Sequence, residues 1–93
     1  IALAGADAVV NIQHGQCTMI FDNEPRNEQI VNRMKSAVDN KFNLVVWPES
    51  LKYKDINDMV IAGMTTAKIT SLIHSSTYCG LEAHQHINNW KKV

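Results

Sequence analysis

QCTMIFDNEPRNEQIVNRMKSAVDNKFNLVVWP, residues 16–48, holds the pattern that decides the fold. It opens on Gln16–Phe21 (QCTMIF), a short apolar run that stops at the polar turn Asp22-Asn23-Glu24-Pro25. From about Arg26 to Asn40 the apolar residues Ile30, Val31, Met34, Ala37 and Val38 recur at steps of three and four, as on one face of an amphipathic helix. Pro25 suits the first turn, where its missing N–H costs nothing, and Asn23 or Asn27 supplies the cap. Phe42–Trp47 (FNLVVW) follows, β-branched and apolar on both faces like a strand buried in a parallel sheet, and Pro48 ends it. Strand, helix and strand in this order predict a crossover connection and parallel pairing.

On either side the same alternation continues. Residues 1–4 read as the tail of a strand and Ala8–Val10 as the start of a second short element. Asp55–Ala62 and Ala67–His74 read as helices, the latter with Ile69, Leu72 and Ile73 on its core side, and Leu81–Trp90 reads as a last helix. The expected fold is therefore α/β, a small parallel sheet flanked by helices. Residues 1–75 form its body, and 76–93 a helical tail.

The chain has 93 residues, nine basic and nine acidic, with zero formal net charge. That is one small domain of ordinary globular composition, which argues against intrinsic disorder. No apolar run approaches the ~18 residues of a membrane span, and no basic leader precedes the apolar start. Balanced charge argues against a strong nonspecific polyanion binder. Cys17 and Cys79 make no disulfide framework, and a cytoplasmic location is expected. The abrupt apolar start without a methionine reads as a piece of a longer protein whose remaining part is N-terminal.

In sheets with crossover helices, ligands bind beyond the carboxyl ends of the strands. Two polar clusters fall there: Asp22-Asn23-Glu24 after the first buried strand and Lys54-Asp55-Ile56-Asn57-Asp58 after the second. If the chain stays extended, Asp22 and Glu24 project to one side. Two close carboxylates resist joint ionisation unless a cation compensates them, and a hard divalent ion such as Mg²⁺ suits the pair. Asp55 adds a further carboxylate, a set suited to phosphoryl transfer. The same residues also read as plain turn chemistry and as acids placed well at a helix N-terminus. Arg26 reads as a phosphate contact or as a solvated first-turn residue.

His14-x₂-Cys17 and Cys79-x₄-His84-x-His86 are too far apart in sequence to favour a zinc site, and nothing marks either thiol as activated. Trp47 and the four methionines read as core. Trp90, beside Lys91 and Lys92, reads as packing of the last helix ahead of a stacking platform for single-stranded nucleic acid.

FDNEPRN (21–27), a helix, VVWP (45–48) and KDINDM (54–59) together resemble the later part of a Toprim domain, and more narrowly the DNA primases of T4-type bacteriophages. Asp22-Asn23-Glu24 stands at the place of the Toprim DxD motif, with glutamate for the second aspartate. Asp55-Ile56-Asn57 resembles a further acidic stretch, with asparagine at its second acidic position. The tail TYCGLEAHQHINNWKKV also looks like the C-terminal end of these primases. The resemblance implies Mg²⁺ held by Asp22, Glu24 and Asp55, with Asp22 and Glu24 catalytic and Arg26, Lys54 and Asn57 touching substrate phosphate or metal-bound water. It implies a single-stranded DNA template, ribonucleoside triphosphates and a replicative helicase as partners, with zinc expected only in an N-terminal domain outside this sequence. The upstream Toprim glutamate has no counterpart before Asp22, so the 93 residues by themselves are expected to be inactive. Another Toprim enzyme, a nuclease or topoisomerase-like protein, and a non-catalytic helicase- or DNA-docking module remain the alternatives.

Overall fold

The computed structural model describes residues 2–4, 7–12 and 16–93, with side chains from Cys17 onward. Among these residues the elements run β1 (Ala2–Ala4), β2 (Asp7–Ile12), β3 (Gln16–Phe21), α1 (Glu28–Asp39), β4 (Asn43–Val45), α2 (Ile56–Ile61), α3 (Thr66–Ser75), β5 (Thr77–Tyr78) and α4 (Gly80–Trp90). The strands form one sheet in the order β1-β2-β3-β4-β5.

The fold is α/β as the residue pattern predicts, but the sheet is mixed rather than parallel. Only β3 and β4, joined by the crossover helix α1, run parallel, with Thr18 opposite Asn43 and Met19 opposite Leu44. The β1–β2, β2–β3 and β4–β5 pairs are antiparallel. For the strands before β3 the physical reason lies in connection length. Parallel neighbours need a crossover of a dozen residues or more, whereas β2 and β3 are separated by three residues, which allows only a hairpin. The pattern of the sequence does not predict β5, whose two residues between helices α3 and α4 are too few to show a period.

The β3–β4 centre of the sheet is buried on both faces, which explains why FNLVVW shows no alternation. Phe21, Leu44 and Val46 join Ile30, Val31, Met34 and Val38 of α1 and Ala83, Ile87 and Trp90 of α4 in one core cluster. Ile20, Val45 and Trp47 face the other way, onto Met59 of α2 and Ile69 and Ile73 of α3. Neighbouring residues of one strand therefore serve opposite cores, as the two-residue period of a strand requires. Residues 76–93 supply both a strand and the α4 packing face to this arrangement.

Helix ends follow the side chains available. Asn27 is the α1 cap, its Oδ1 accepting from the Ile30 N–H at 3.2 Å, so Pro25 precedes the helix instead of sitting in its first turn. α1 stops in a Schellman motif, with the Phe42 N–H on the Ala37 carbonyl and the Lys41 N–H on that of Val38. Lys41 takes the left-handed position at φ 71°, where glycine is usual, so no glycine marks this boundary in the sequence.

Thr18 carries a cost in this core. It is wholly buried, and among the described residues its Oγ1 is the one buried side-chain polar atom with no hydrogen-bond partner. Valine has the same shape without the hydroxyl and is at least as good in a strand. Thr18→Val is therefore expected to raise stability by about 1 kcal/mol, read as a higher urea midpoint at unchanged slope. A lower midpoint would show that the hydroxyl is satisfied.

Candidate functional site

β3 delivers Phe21 into the core, and the Phe21 carbonyl accepts a hydrogen bond from buried Trp47 Nε1 at 2.9 Å. The chain then leaves the sheet at Asp22 and bends. The Glu24 N–H turns back to the Asp22 carbonyl at 2.9 Å, so the loop is not the extended segment in which Asp22 and Glu24 would share a side. The residue that sets the bend is Asn23. Its side-chain amide donates to the Leu51 and Tyr53 carbonyls at 3.2 and 3.0 Å, and its Oδ1 accepts from Trp90 Nε1 at 3.0 Å. Its backbone N–H donates to the Lys54 carbonyl. One half-buried asparagine thus ties the end of β3, the 51–54 segment and the last turn of α4 together.

Those bonds bring the two polar clusters of the sequence side by side. Lys54 Nζ lies 3.6 Å from Glu24 Oε1, and Asn27 Nδ2 donates to Glu24 Oε2 at 3.3 Å. Lys54 is more than half exposed, so the pair contributes little to stability and leaves the Glu24 carboxylate within reach of solvent. Asp55 has a structural role as the N-cap of α2, where its Oδ1 accepts the Asp58 N–H at 2.8 Å. Arg26 and Asn57 are exposed, Arg26 in the loop before α1 and Asn57 in the first turn of α2. Arg26 and Lys92 line an open groove of about 800 Å³ beside Glu24, Asn27 and Glu28. The Lys92 N–H donates to the Pro25 carbonyl at 2.7 Å, which fixes residues after α4 along this loop.

Among the described residues no three His, Cys, Asp or Glu side chains come together as a ready metal cage. His14 lies outside the described residues, and Cys79 is exposed. The 22–24 loop does carry the donor type that hard divalent cations take. Its acidic side chains are two carboxylates, and Mg²⁺ commonly binds through one or two carboxylates while keeping waters or phosphate oxygens elsewhere.

Two partners of this loop are not legible in the sequence. Asn23 reads there as one of two candidate caps for α1, a role that Asn27 takes, and Trp90 as ordinary helix packing. Trp90 is indeed buried in the core, yet its ring nitrogen also orients the loop. A polar atom within an acidic motif gives no sequence signal of which distant carbonyls it will meet.

No protein-family model matches the chain. Over 76 residues it is 32% identical to the DNA primase of Enterobacteria phage T4, an alignment that covers 80% of this chain. The chain spans about a fifth of that relative's length, 22%. A match of that extent within 93 residues necessarily takes in the end of β3, the 22–24 loop, α1, β4 and α2. No helix among the described residues is long and apolar enough to cross a membrane. The chain is thus a distant, partial homologue of a phage DNA primase.

Proposed function

We propose that this chain is part of a DNA primase of the Toprim type, which makes short RNA primers on a single-stranded DNA template in phage replication. The observation that carries the reading is the match to the phage primase across the acidic loop and the segment bonded to it. The reaction joins the 3′-hydroxyl oxygen of a growing primer to the α-phosphorus of a ribonucleoside triphosphate and releases pyrophosphate. Asp22, Glu24 and Asp55 would hold Mg²⁺, Asp55 through the carboxylate oxygen that does not cap α2. When bound, the ion supplies charge neutralisation on the phosphate oxygens.

The chain's own residues do the positioning. Lys54 neutralises Glu24 at rest and is flexible enough to turn to a phosphate oxygen. Arg26, exposed at the mouth of the groove, suits bidentate contact with a phosphate, and Asn57 suits a bond to phosphate or to metal-bound water. Asn23 holds the acidic loop against the 51–54 segment, so that both clusters meet a substrate as one surface. A replicative helicase is the expected protein partner and the cytoplasm of a bacterial host the expected place of action.

Titration with Mg²⁺, and with paramagnetic Mn²⁺, followed in amide NMR spectra, tests the metal assignment. Shifts and Mn²⁺ broadening confined to Asp22–Glu24 and the neighbourhood of Asp55 are expected. A folded spectrum unmoved at both clusters would leave the acidic pair as a turn and favour a non-catalytic docking module.

A further inference from the structure

A second groove, of about 520 Å³, lies between α3 and the 48–53 segment. One wall is a single stripe of α3, since Lys68, Ser71, Leu72 and Ser75 fall at i, i+3, i+4 and i+7. Its floor is apolar: Leu51, Tyr53, Met64 and Leu72 are half-buried and continuous with the core under α2 and α3. The charged side chains lining it, Lys52 and Lys68, are both exposed, and no carboxylate lines it. Neither lysine is paired with an acid among the described residues. In a chain of zero net charge this is a local excess of positive charge around an apolar slot.

We infer that this groove docks an acidic peptide segment bearing apolar anchors. A ligand that covers it must bring apolar groups to the floor and negative charge to the rim, which is what an amphipathic acidic peptide presents. Single-stranded nucleic acid fits less well, because its affinity comes from several aromatic platforms and many phosphate contacts, and the groove offers one tyrosine and two lysines. The slot is also preformed. Asn23 pins the Leu51 and Tyr53 carbonyls, so less ordering remains for binding to impose. This site is separate from the Asp22–Glu24 chemistry and does not depend on it.

Three labelled probes test the inference by fluorescence anisotropy and amide shifts. One is a peptide with leucines at i, i+3, i+4 and i+7 and glutamates between them. The second carries lysines for those glutamates, and the third is oligo(dT). The glutamate peptide is expected to bind and to shift the amides of Leu51–Tyr53, Met64 and Lys68–Leu72, with the lysine peptide inert. Lys52→Glu with Lys68→Glu should weaken binding about tenfold, while Lys52→Arg with Lys68→Arg keeps it. Both positions are exposed, so an otherwise unchanged amide spectrum establishes that each variant is folded. Failure of the glutamate peptide to bind, or shifts centred elsewhere, overturns the inference. Movement of these amides by oligo(dT) alone overturns it in favour of nucleic acid.

Discussion

Trp90→Ala is expected to remove about 3–5 kcal/mol of folding stability, the cost of emptying a large aromatic site in a core. Trp90 is buried with Ala83 and Ile87 of α4 against α1, and it is also the donor to Asn23. A chain of this size has only about 5–10 kcal/mol of stability in total, so the variant loses a large fraction of it and unfolds at a much lower urea concentration. Trp90→Phe separates the two roles. The phenyl ring keeps most of the apolar contact but gives Asn23 Oδ1 no donor, and a loss of about 1–2 kcal/mol is expected. Its amide spectrum should change around Asn23 and Leu51–Lys54, 36 or more residues away in sequence but joined through one asparagine. Urea unfolding gives the stabilities. A Trp90→Ala chain within 1 kcal/mol of the parent would mean that α4 is not integral to the core.

In the primase proposed above, Asp22→Asn with Glu24→Gln is expected to cut primer synthesis by roughly a thousandfold or more. Loss of metal-assisted charge neutralisation is worth several kcal/mol, and each 1.4 kcal/mol is a factor of ten. Both replacements keep size and leave one oxygen able to accept a hydrogen bond, and the Glu24–Lys54 pair they weaken is partly exposed and worth about 1 kcal/mol at most. The fold should therefore survive, with the amide pattern of α1 and β4 intact and the response to Mn²⁺ gone. Primers made at the parental rate would remove the acidic pair from the chemistry, and loss of the folded spectrum would assign Asp22 and Glu24 a structural role instead.

Much of the frame is legible in the residues because it rests on local patterns. The three- and four-residue spacing of Ile30, Val31, Met34, Ala37 and Val38 predicts α1, and all five side chains are buried in it. The unbroken FNLVVW predicts a strand over 42–47 covered on both faces; residues 44–47 are buried with alternating partners, although the strand itself spans only Asn43–Val45. Inference from element order to strand direction misleads. Alternating strands and helices suggest a wholly parallel sheet, but the connections before β3 are too short for a crossover, and β5 returns antiparallel to β4 after the two helices α2 and α3.

Local patterns in the residues predict the four helices, the strands other than β5 and the position of both acidic clusters after strands, because helix and strand periods and capping chemistry act over a few residues. Only the tertiary structure decided how those clusters meet. Asn23 bonds to carbonyls 28 and 30 residues away and to a ring nitrogen 67 residues away, Lys54 is swung onto Glu24, and Asp55 is committed to capping α2. Such bonds pair generic donors and acceptors that any asparagine, carbonyl or indole offers. Their partners are chosen by the packing of α4 and the 51–54 segment around the end of β3, which no local pattern encodes.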